Sequence, residues 1–356
     1  MTKQKVLYIV AAYPQISETY IKVEIETLAS QYDLEIISIN KANYAFEKPH
    51  PFHEINNYDD ILNFAKKFKP DVIHTHWIDF QLERVFRLSK ELNIPFTIRS
   101  HSFDTLWKPA RWYKRILGGP VPAKVRKYIK MVNHPLCLGV LAFPYAVPKL
   151  ITAGVKPERV VESGPVFAYD LFNDQSSNGQ GIVNVGACLP KKKFEDYIHL
   201  ATLVPDRKFH LYSLGYLTED INNKNNAVGN PVLMHEPIQH YEVAKKLKDM
   251  QWMVYTADPE LATVGLPLTL LEAQASGVGV CMRKLRPDLK EYLDGAVILY
   301  DSVEELVEIV KKPVSEQMRQ RGFENARRYD IRTNIHQLTD LWDPLQAESS
   351  PKSGLK

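Results

Sequence analysis

Twice along this chain, short apolar runs alternate with segments whose apolar residues recur every three or four positions. That alternation constrains the fold more than any other feature. Val6–Ala12, Leu34–Ile39, Asp71–Thr75, Pro95–Arg99, Cys137–Phe143 and Val160–Ser163 read as strands. Between them Ile21, Ile25 and Leu28 fall on one helical face, and Asp59–Phe68, Leu82–Leu92 and Val147–Ala153 read as helices. Strands alternating with helices predict a parallel sheet covered on both faces. Phe172–Gly181, rich in Asn, Ser, Gln and Gly, reads as a linker. A second set follows. Ile182–Val185, Lys208–Ser213, Val232–His235, Trp252–Thr256 and Val297–Tyr300 read as strands, with helices at Phe194–Leu203, His240–Met250, Asp288–Leu293 and Val303–Lys311. The expectation is two α/β domains, one over residues 1–172 and one over 181–327, with a tail at 346–356 that is disordered.

A length of 356 residues suits two such cores. The net charge of +3 is too small for a nucleic-acid-binding chain. Cys137, Cys188 and Cys281 lie far apart in apolar surroundings, without metal spacing, and read as reduced thiols of a cytoplasmic protein. The opening Met1–Ala12 has the look of a signal peptide. Its apolar run is short and lacks a cleavage site, so it reads as a first strand. No run is long enough to cross a bilayer.

One unit of the second set carries chemistry. In Ala262–Val280, Gly265 and Pro267 stand where a loop becomes a helix, Leu268, Leu270, Leu271, Ala273 and Ala275 give the helix an apolar face, and Gly277 ends it. Unpaired N–H groups and a positive dipole end make such a start attractive to anions. Pro267 is compatible with the first helical position. Glu272, little more than a turn further in, is placed to accept both hydroxyls of a ribose. Together these outline a nucleoside-diphosphate site. The plainer alternative is a buried strand–helix unit of any α/β protein.

Gly265, Leu266, Pro267, Leu270, Leu271, Glu272, Ala273, Ala275 and Gly277 match a segment typical of retaining GT-B glycosyltransferases of family 4: Glu-Gly-Leu-Pro-x-x-Leu-Leu-Glu-Ala-Met-Ala-x-Gly-x-Pro-Val. The chain resembles that family over most of its length. The resemblance implies two Rossmann-like domains facing a cleft, with a C-terminal helix at about 328–345 crossing back to the first. It also implies a donor site around Gly265, Leu266, Pro267, Leu268, Thr269 and Glu272. Val264 stands where the family has the first Glu of its pair, which faces the donor sugar, so the departure falls at the sugar end. Val183–Phe194 resembles the family's Val-Gly-Arg-Leu-x-x-x-Lys-Gly segment. Aligned on Gly186, Ala187 replaces the phosphate-binding Arg, and Lys192 keeps the Lys. Lys191–Lys193 can equally be a solvated turn. Arg286, beyond the next strand, is a further phosphate candidate.

In the first half, His101 follows a strand and resembles the His of the family's His-Gly-x-Asp segment, which contacts the transferred sugar; the alternative is a structural His at a strand end. Ser17, Glu18 and Thr19 resemble a Ser-Glu-Thr cleft loop of bacterial polysaccharide glycosyltransferases, and can also be a capping box. His74 and His76 share a strand face but lack further ligands in the sequence pattern, and no Asp-x-Asp motif occurs, so no metal is expected. Lys108, Arg111, Lys114, Arg115, Lys124, Arg126, Lys127 and Lys130 interleave with Trp107, Trp112 and Tyr113, without an acid. This suits an anionic membrane surface or lipid-diphosphate acceptor, or else a solvated loop-and-helix insertion.

These readings converge on a glycosyltransferase acting with retention. It takes a sugar from a UDP- or GDP-linked donor to a polysaccharide or lipid-linked acceptor and needs no cofactor. It is cytoplasmic or peripheral on the inner membrane face, and does not bind nucleic acid. Two alternatives stand beside it: a degenerate GT-B protein that binds nucleotide or glycan without turnover, favoured by Val264 and Ala187, and a sugar-nucleotide epimerase.

Overall fold

The computed structural model describes residues 3–101, 104, 105, 107, 121–261, 264–343 and 345. These divide into two units. The first comprises residues 1–165 with 332–356, and the second comprises Val166–Ile331.

The first unit carries a parallel sheet of β1 (Lys5–Ala12), β2 (Asp33–Asn40), β3 (His53–Glu54), β4 (Val72–His76), β5 (Phe96–Arg99), β6 (Cys137–Ala142) and β7 (Val160–Glu162). Their order is β3-β2-β1-β4-β5-β6-β7. The order reverses at β1 and β4, which pair in parallel with Tyr8 opposite His74. Central strands are covered on both faces, so Val6–Val10 and all of β4 are buried. The helix Tyr58–Phe68 is capped by Asn57, whose side chain accepts the Asp59 N–H at 2.8 Å, and it stops at Lys69 in a left-handed conformation. The helix Thr19–Leu28 buries Ile21, Val23, Ile25 and Leu28, and with them Glu24.

The second unit repeats the plan with β8 (Gly181–Ala187), β9 (Phe209–Leu214), β10 (Val232–His235), β11 (Met250–Tyr255), β12 (Gly279–Arg283) and β13 (Ile298–Tyr300). The order β10-β9-β8-β11-β12-β13 places its reversal between β8 and β11. This is the doubly wound arrangement, in which ligands bind beyond the carboxyl ends of the strands at the reversal.

The unit boundaries differ from the sequence expectation by a few residues, for a physical reason. The short helix Tyr169–Phe172 lies in the second unit because the Phe167 carbonyl accepts the Ile331 N–H at 2.8 Å and the Phe172 carbonyl accepts the Ser276 hydroxyl at 3.1 Å. At the other end the helix Glu316–Arg328 belongs to the second unit, and the chain joins the first from Arg332. Trp342 is fully buried in that unit's core. All three cysteines are free and buried. Among the described residues no helix is long and apolar enough to cross a membrane.

Candidate functional site

In the first unit, strand register assembles a polar cluster inside the core. Tyr8, His74 and Thr97 lie side by side on β1, β4 and β5, and His76 lies beside Arg99. The helix Thr19–Leu28 brings Glu24 over them. Its Oε2 accepts from Arg99 Nε at 2.7 Å, and its Oε1 accepts from Tyr8 Oη and His76 Nε2, each at 3.1 Å. Burial alone would raise the Glu24 pKa, but Arg99 and the two histidines hold it well below the usual range. Desolvation lowers His74 to about 4 and lowers His76 as well, so both rings are neutral. Donor atoms of Glu24, His74 and His76 lie within 4.8 Å of one another, a spacing an ion could bridge. Arg99 already supplies the balancing positive charge, so a cation there would meet another cation.

His101 stands at the edge of this cluster, beyond the end of β5. Its Nε2 meets His76 Nδ1 at 3.0 Å. Its backbone N–H donates to Asp104 Oδ1 at 2.8 Å, and Asp104 Oδ2 accepts the Ile78 N–H at 3.0 Å. Burial pushes Asp104 up to about 7 despite those bonds. Trp77 and Tyr20 flank the imidazole at 4.0 and 4.4 Å between ring centroids. Trp77 has φ of 73°, a left-handed conformation that a bulky residue rarely adopts and that gathers at functional sites. Glu18 occupies the N-cap position of the helix Thr19–Leu28 without a side-chain cap bond, so the capping box does not form. One Glu18 oxygen is buried with no partner, and desolvation raises its pKa to about 7. Ser17 is exposed and accepts weakly from Gln15 at 3.4 Å.

Of the basic segment, Lys108, Arg111, Lys114 and Arg115 lie outside the described residues, as does Trp112. Lys124, Lys127 and Lys130 belong to the helix Ala123–Val132, as does Arg126. Lys127 pairs with Glu83 at 2.6 Å, Lys124 lies 3.9 Å from Asp79, and Arg126 donates to the Val121 carbonyl at 3.3 Å. Acids from elsewhere in the fold therefore balance two of these cations, a pairing that local charge density could not reveal.

In the second unit the candidates emerge from the carboxyl ends of β8, β11 and β12, which are neighbours in the sheet. Lys192 sits in a short turn after β8 and is almost fully buried. Its Nζ donates to Tyr255 Oη at 2.6 Å and lies 3.9 Å from that ring's centroid. Burial, with Lys191 adding to it, lowers its pKa to about 7. It is thus no solvated turn lysine. Gly186 is the residue that makes room for it. A Cβ there would come within 3.0 Å of Nζ, and φ is 151°.

The helix Leu268–Ala275 begins one residue later than expected, with Pro267 at the N-cap and no side-chain cap. Its first amides have no intrahelical acceptor. The Thr269 hydroxyl turns inward toward Met253 Sδ at 3.7 Å. Val264 is buried and Leu266 nearly so. Arg286 donates to the carbonyls of Val264 and Gly265 and grips both oxygens of Asp288, at 2.9 and 3.1 Å. Its guanidinium thus ties the loop to Asp288. Glu272 is buried and accepts from His240 Nε2 at 2.9 Å, while Phe172 lies against that imidazole at 4.9 Å. His240, Tyr255, Glu24 and Arg99 escaped the sequence reading. The one available signal was a charged residue, Glu24, on the apolar face of an otherwise regular helix.

Two doubly wound parallel sheets of this order, in a chain whose end returns to the first unit, define the GT-B fold. No protein-family model and no curated protein matches the sequence. Solved structures do. HepE of Anabaena, in complex with UDP and glucose, superimposes with a TM-score of 0.72 at 13% identity, over 97% of this chain and 100% of that one. Sucrose-phosphate synthase of Thermosynechococcus elongatus gives 0.71 at 13% identity over 97% and 100%. A glycosyltransferase of Rickettsia africae gives 0.65 at 13% over 98% and 100%. At this identity the likeness is one of fold.

Proposed function

We propose that the protein is a retaining, metal-independent glycosyltransferase that moves a sugar from a UDP- or GDP-linked donor to a polysaccharide or lipid-linked acceptor. One observation carries this reading. Beyond the carboxyl ends of β8 and β11 stand an almost fully buried lysine, an uncapped helix start and, within that helix, a buried carboxylate, at the sheet's reversal. The amides of Leu268 and Thr269, with Lys192, would take the diphosphate and stabilise the charge that develops as it leaves. Glu272, steadied by His240, would take the ribose hydroxyls. The sequence resemblance gives His101 a contact with the transferred sugar. Retention and the cleft-loop role of Ser17, Glu18 and Thr19 follow the sequence resemblance. Metal independence rests on the lack of an Asp-x-Asp motif, and a cytoplasmic location, or a peripheral one on the inner membrane face, on the reduced cysteines and the basic segment. HepE, solved with UDP-glucose, favours UDP as the first donor to try.

The test is a thermal-shift screen of the full chain with UDP, GDP, CDP, ADP and their sugars, followed by assays of transfer and hydrolysis. A ligand selective for the native state must raise the midpoint. A shift with one nucleotide, accompanied by sugar release or transfer, is the expected result. No shift with any of them removes the donor site and the reading with it. The second reading, a protein that binds nucleotide without turnover, is favoured by Val264 and Ala187 in place of the family's Glu and Arg. A shift without turnover would select it.

A further inference from the structure

The cluster under the helix Thr19–Leu28 is more than a satisfied core, because its hydrogen bonds have a direction. The Glu24 carboxylate, ionised and paired with Arg99, can only accept. His76 must therefore direct an Nε2–H at it, across 3.1 Å. A neutral imidazole with Nε2–H has a bare Nδ1, and that atom faces His101 Nε2 at 3.0 Å. The bond requires the proton to sit on His101. The two rings are 5.2 Å apart between centroids and inclined by only 21°, the edge-to-edge arrangement of an in-plane ring-to-ring bond. Further contacts hold His101 in place: Asp104 on its amide, the Thr105 hydroxyl on its carbonyl at 2.6 Å, and Trp77, Tyr20 and Phe143 around the ring. Among the described residues none hydrogen-bonds its Nδ1.

We infer that Glu24 and His76 form a buried relay that fixes His101 as the Nε2–H tautomer and leaves its Nδ1 to accept a hydrogen bond from a hydroxyl of a sugar substrate. The final clause rests on the glycosyl-transfer reading; the relay does not. Glu24 and His76 are positioning residues and His101 is the group that meets substrate. Arg99 locks the direction. It occupies Glu24 Oε2, and its second nitrogen donates to Ser163 Oγ at 2.9 Å. A second branch of the network runs through His74, whose Nε2 lies 3.2 Å from the same Glu24 Oε1. Its Nδ1 is bonded to Thr97 Oγ1 at 2.8 Å, and Thr97 in turn accepts from Trp342 Nε1 at 3.1 Å. His74 thus competes neither for His76 Nδ1 nor for His101. This arrangement follows the general rule that the orientation of one imidazole is set by what its other nitrogen meets.

The experiment is histidine-selective ¹⁵N NMR of the full chain at neutral pH. The relay requires His76 and His101 both neutral, with protons on Nε2. A proton on His101 Nδ1, or a charged His101, overturns it. Glu24→Gln sharpens the test. Arg99 demands the amide oxygen, so the amide NH₂ takes the place of Oε1 and faces Tyr8 Oη, His74 Nε2 and His76 Nε2, none of which can then donate to it. His76 must then carry its proton on Nδ1, and His101 must follow by shifting its own to Nδ1. A folded Glu24→Gln protein whose His101 keeps Nε2–H overturns the relay; if that variant does not fold, the wild-type spectrum decides alone. With UDP-glucose as donor, the flipped variant should lose about tenfold or more in kcat while binding UDP within about threefold of wild type. Unchanged kcat with a flipped tautomer removes the role in catalysis. Wild-type protein that turns over no nucleotide sugar overturns the transfer reading and leaves the tautomer result standing.

Discussion

At Lys192 the physics of one residue predicts how donor binding should depend on pH. Desolvation first, and Lys191 second, bring its pKa to about 7, so in the free protein the ammonium is half ionised near neutrality. A nucleotide sugar carries a diphosphate diester that does not titrate there, and it binds the charged lysine. Binding therefore takes up a proton, and affinity for UDP-glucose should fall as pH rises above about 7, by up to about tenfold per unit. Calorimetry across that range reads the slope directly; a flat profile would place the ammonium away from the diphosphate. Lys192→Met should abolish the slope and weaken binding about tenfold or more at low pH. It should also stabilise the fold. Because the folded pKa lies below the unfolded one, the unfolded chain holds a proton that the folded chain gives up between about 7 and 10.5. The strain of the buried charge is greatest below that window, so the gain in thermal midpoint should be largest at acid pH and vanish at alkaline pH. Such a trade of stability for activity is the common signature of a working site.

The element that matters most is the loop–helix unit from Val264 to Ala275, and its shape depends on a residue well downstream. Arg286 holds the carbonyls of Val264 and Gly265, and Asp288 holds Arg286. Arg286→Ala should leave the loop without that support. Urea unfolding should show a loss of about 1–3 kcal/mol, and UDP affinity should fall about tenfold as the amides lose their alignment. Val264→Glu, which would restore the family residue, should do harm. Val264 is only 3% exposed, so a carboxylate there would be buried without a partner at a cost of about 2 kcal/mol or more. A lower midpoint with no gain in turnover is the expected outcome; increased turnover would show that the position opens to the sugar. Much of this element was legible in the sequence, because Leu268–Ala275 has continuous apolar periodicity bounded by Pro267 and Gly277. By contrast the sequence pattern marks no helix over Thr218–Ala227. Asn222, Asn223, Asn225 and Asn226 weaken its propensity, and few apolar residues mark a buried face. The clamp by Arg286 and the pairing of Glu24 with Arg99 were illegible for a different reason. Partners 75 residues apart meet only because β5 is laid beside β4 beneath the helix Thr19–Leu28. Strand order is a property of the sheet as a whole, and no local pattern states it.

For the whole molecule, the consequential fact is that the first unit is built from both ends of the chain. Its sheet comes from residues before Pro165, but Leu338 and Trp342 fill its core from the far terminus. Trp342 is fully buried, donates from Nε1 to Thr97 Oγ1 at 3.1 Å, and packs edge-on against Tyr32 at 5.3 Å and His74 at 5.8 Å. Thr97 is the same residue that anchors His74, so the last helical turns also support the polar cluster from its far side. The second unit has its own core of Ile182, Phe194, Tyr197, Phe209 and Trp252 and takes nothing from Trp342. Trp342→Ala should therefore cost the first unit about 3–5 kcal/mol, the range for deleting a large buried aromatic, and more if Thr97 is left without its donor. Denaturant titration should resolve the two units, since separate cores of this size unfold as separate cooperative blocks. The transition of the first unit should move to lower denaturant. The stabilisation by UDP, which belongs to the second, should survive with its midpoint within about 2 °C of wild type. Loss of UDP stabilisation in Trp342→Ala would mean that the nucleotide site depends on the first unit, and would relocate the donor site argued for above.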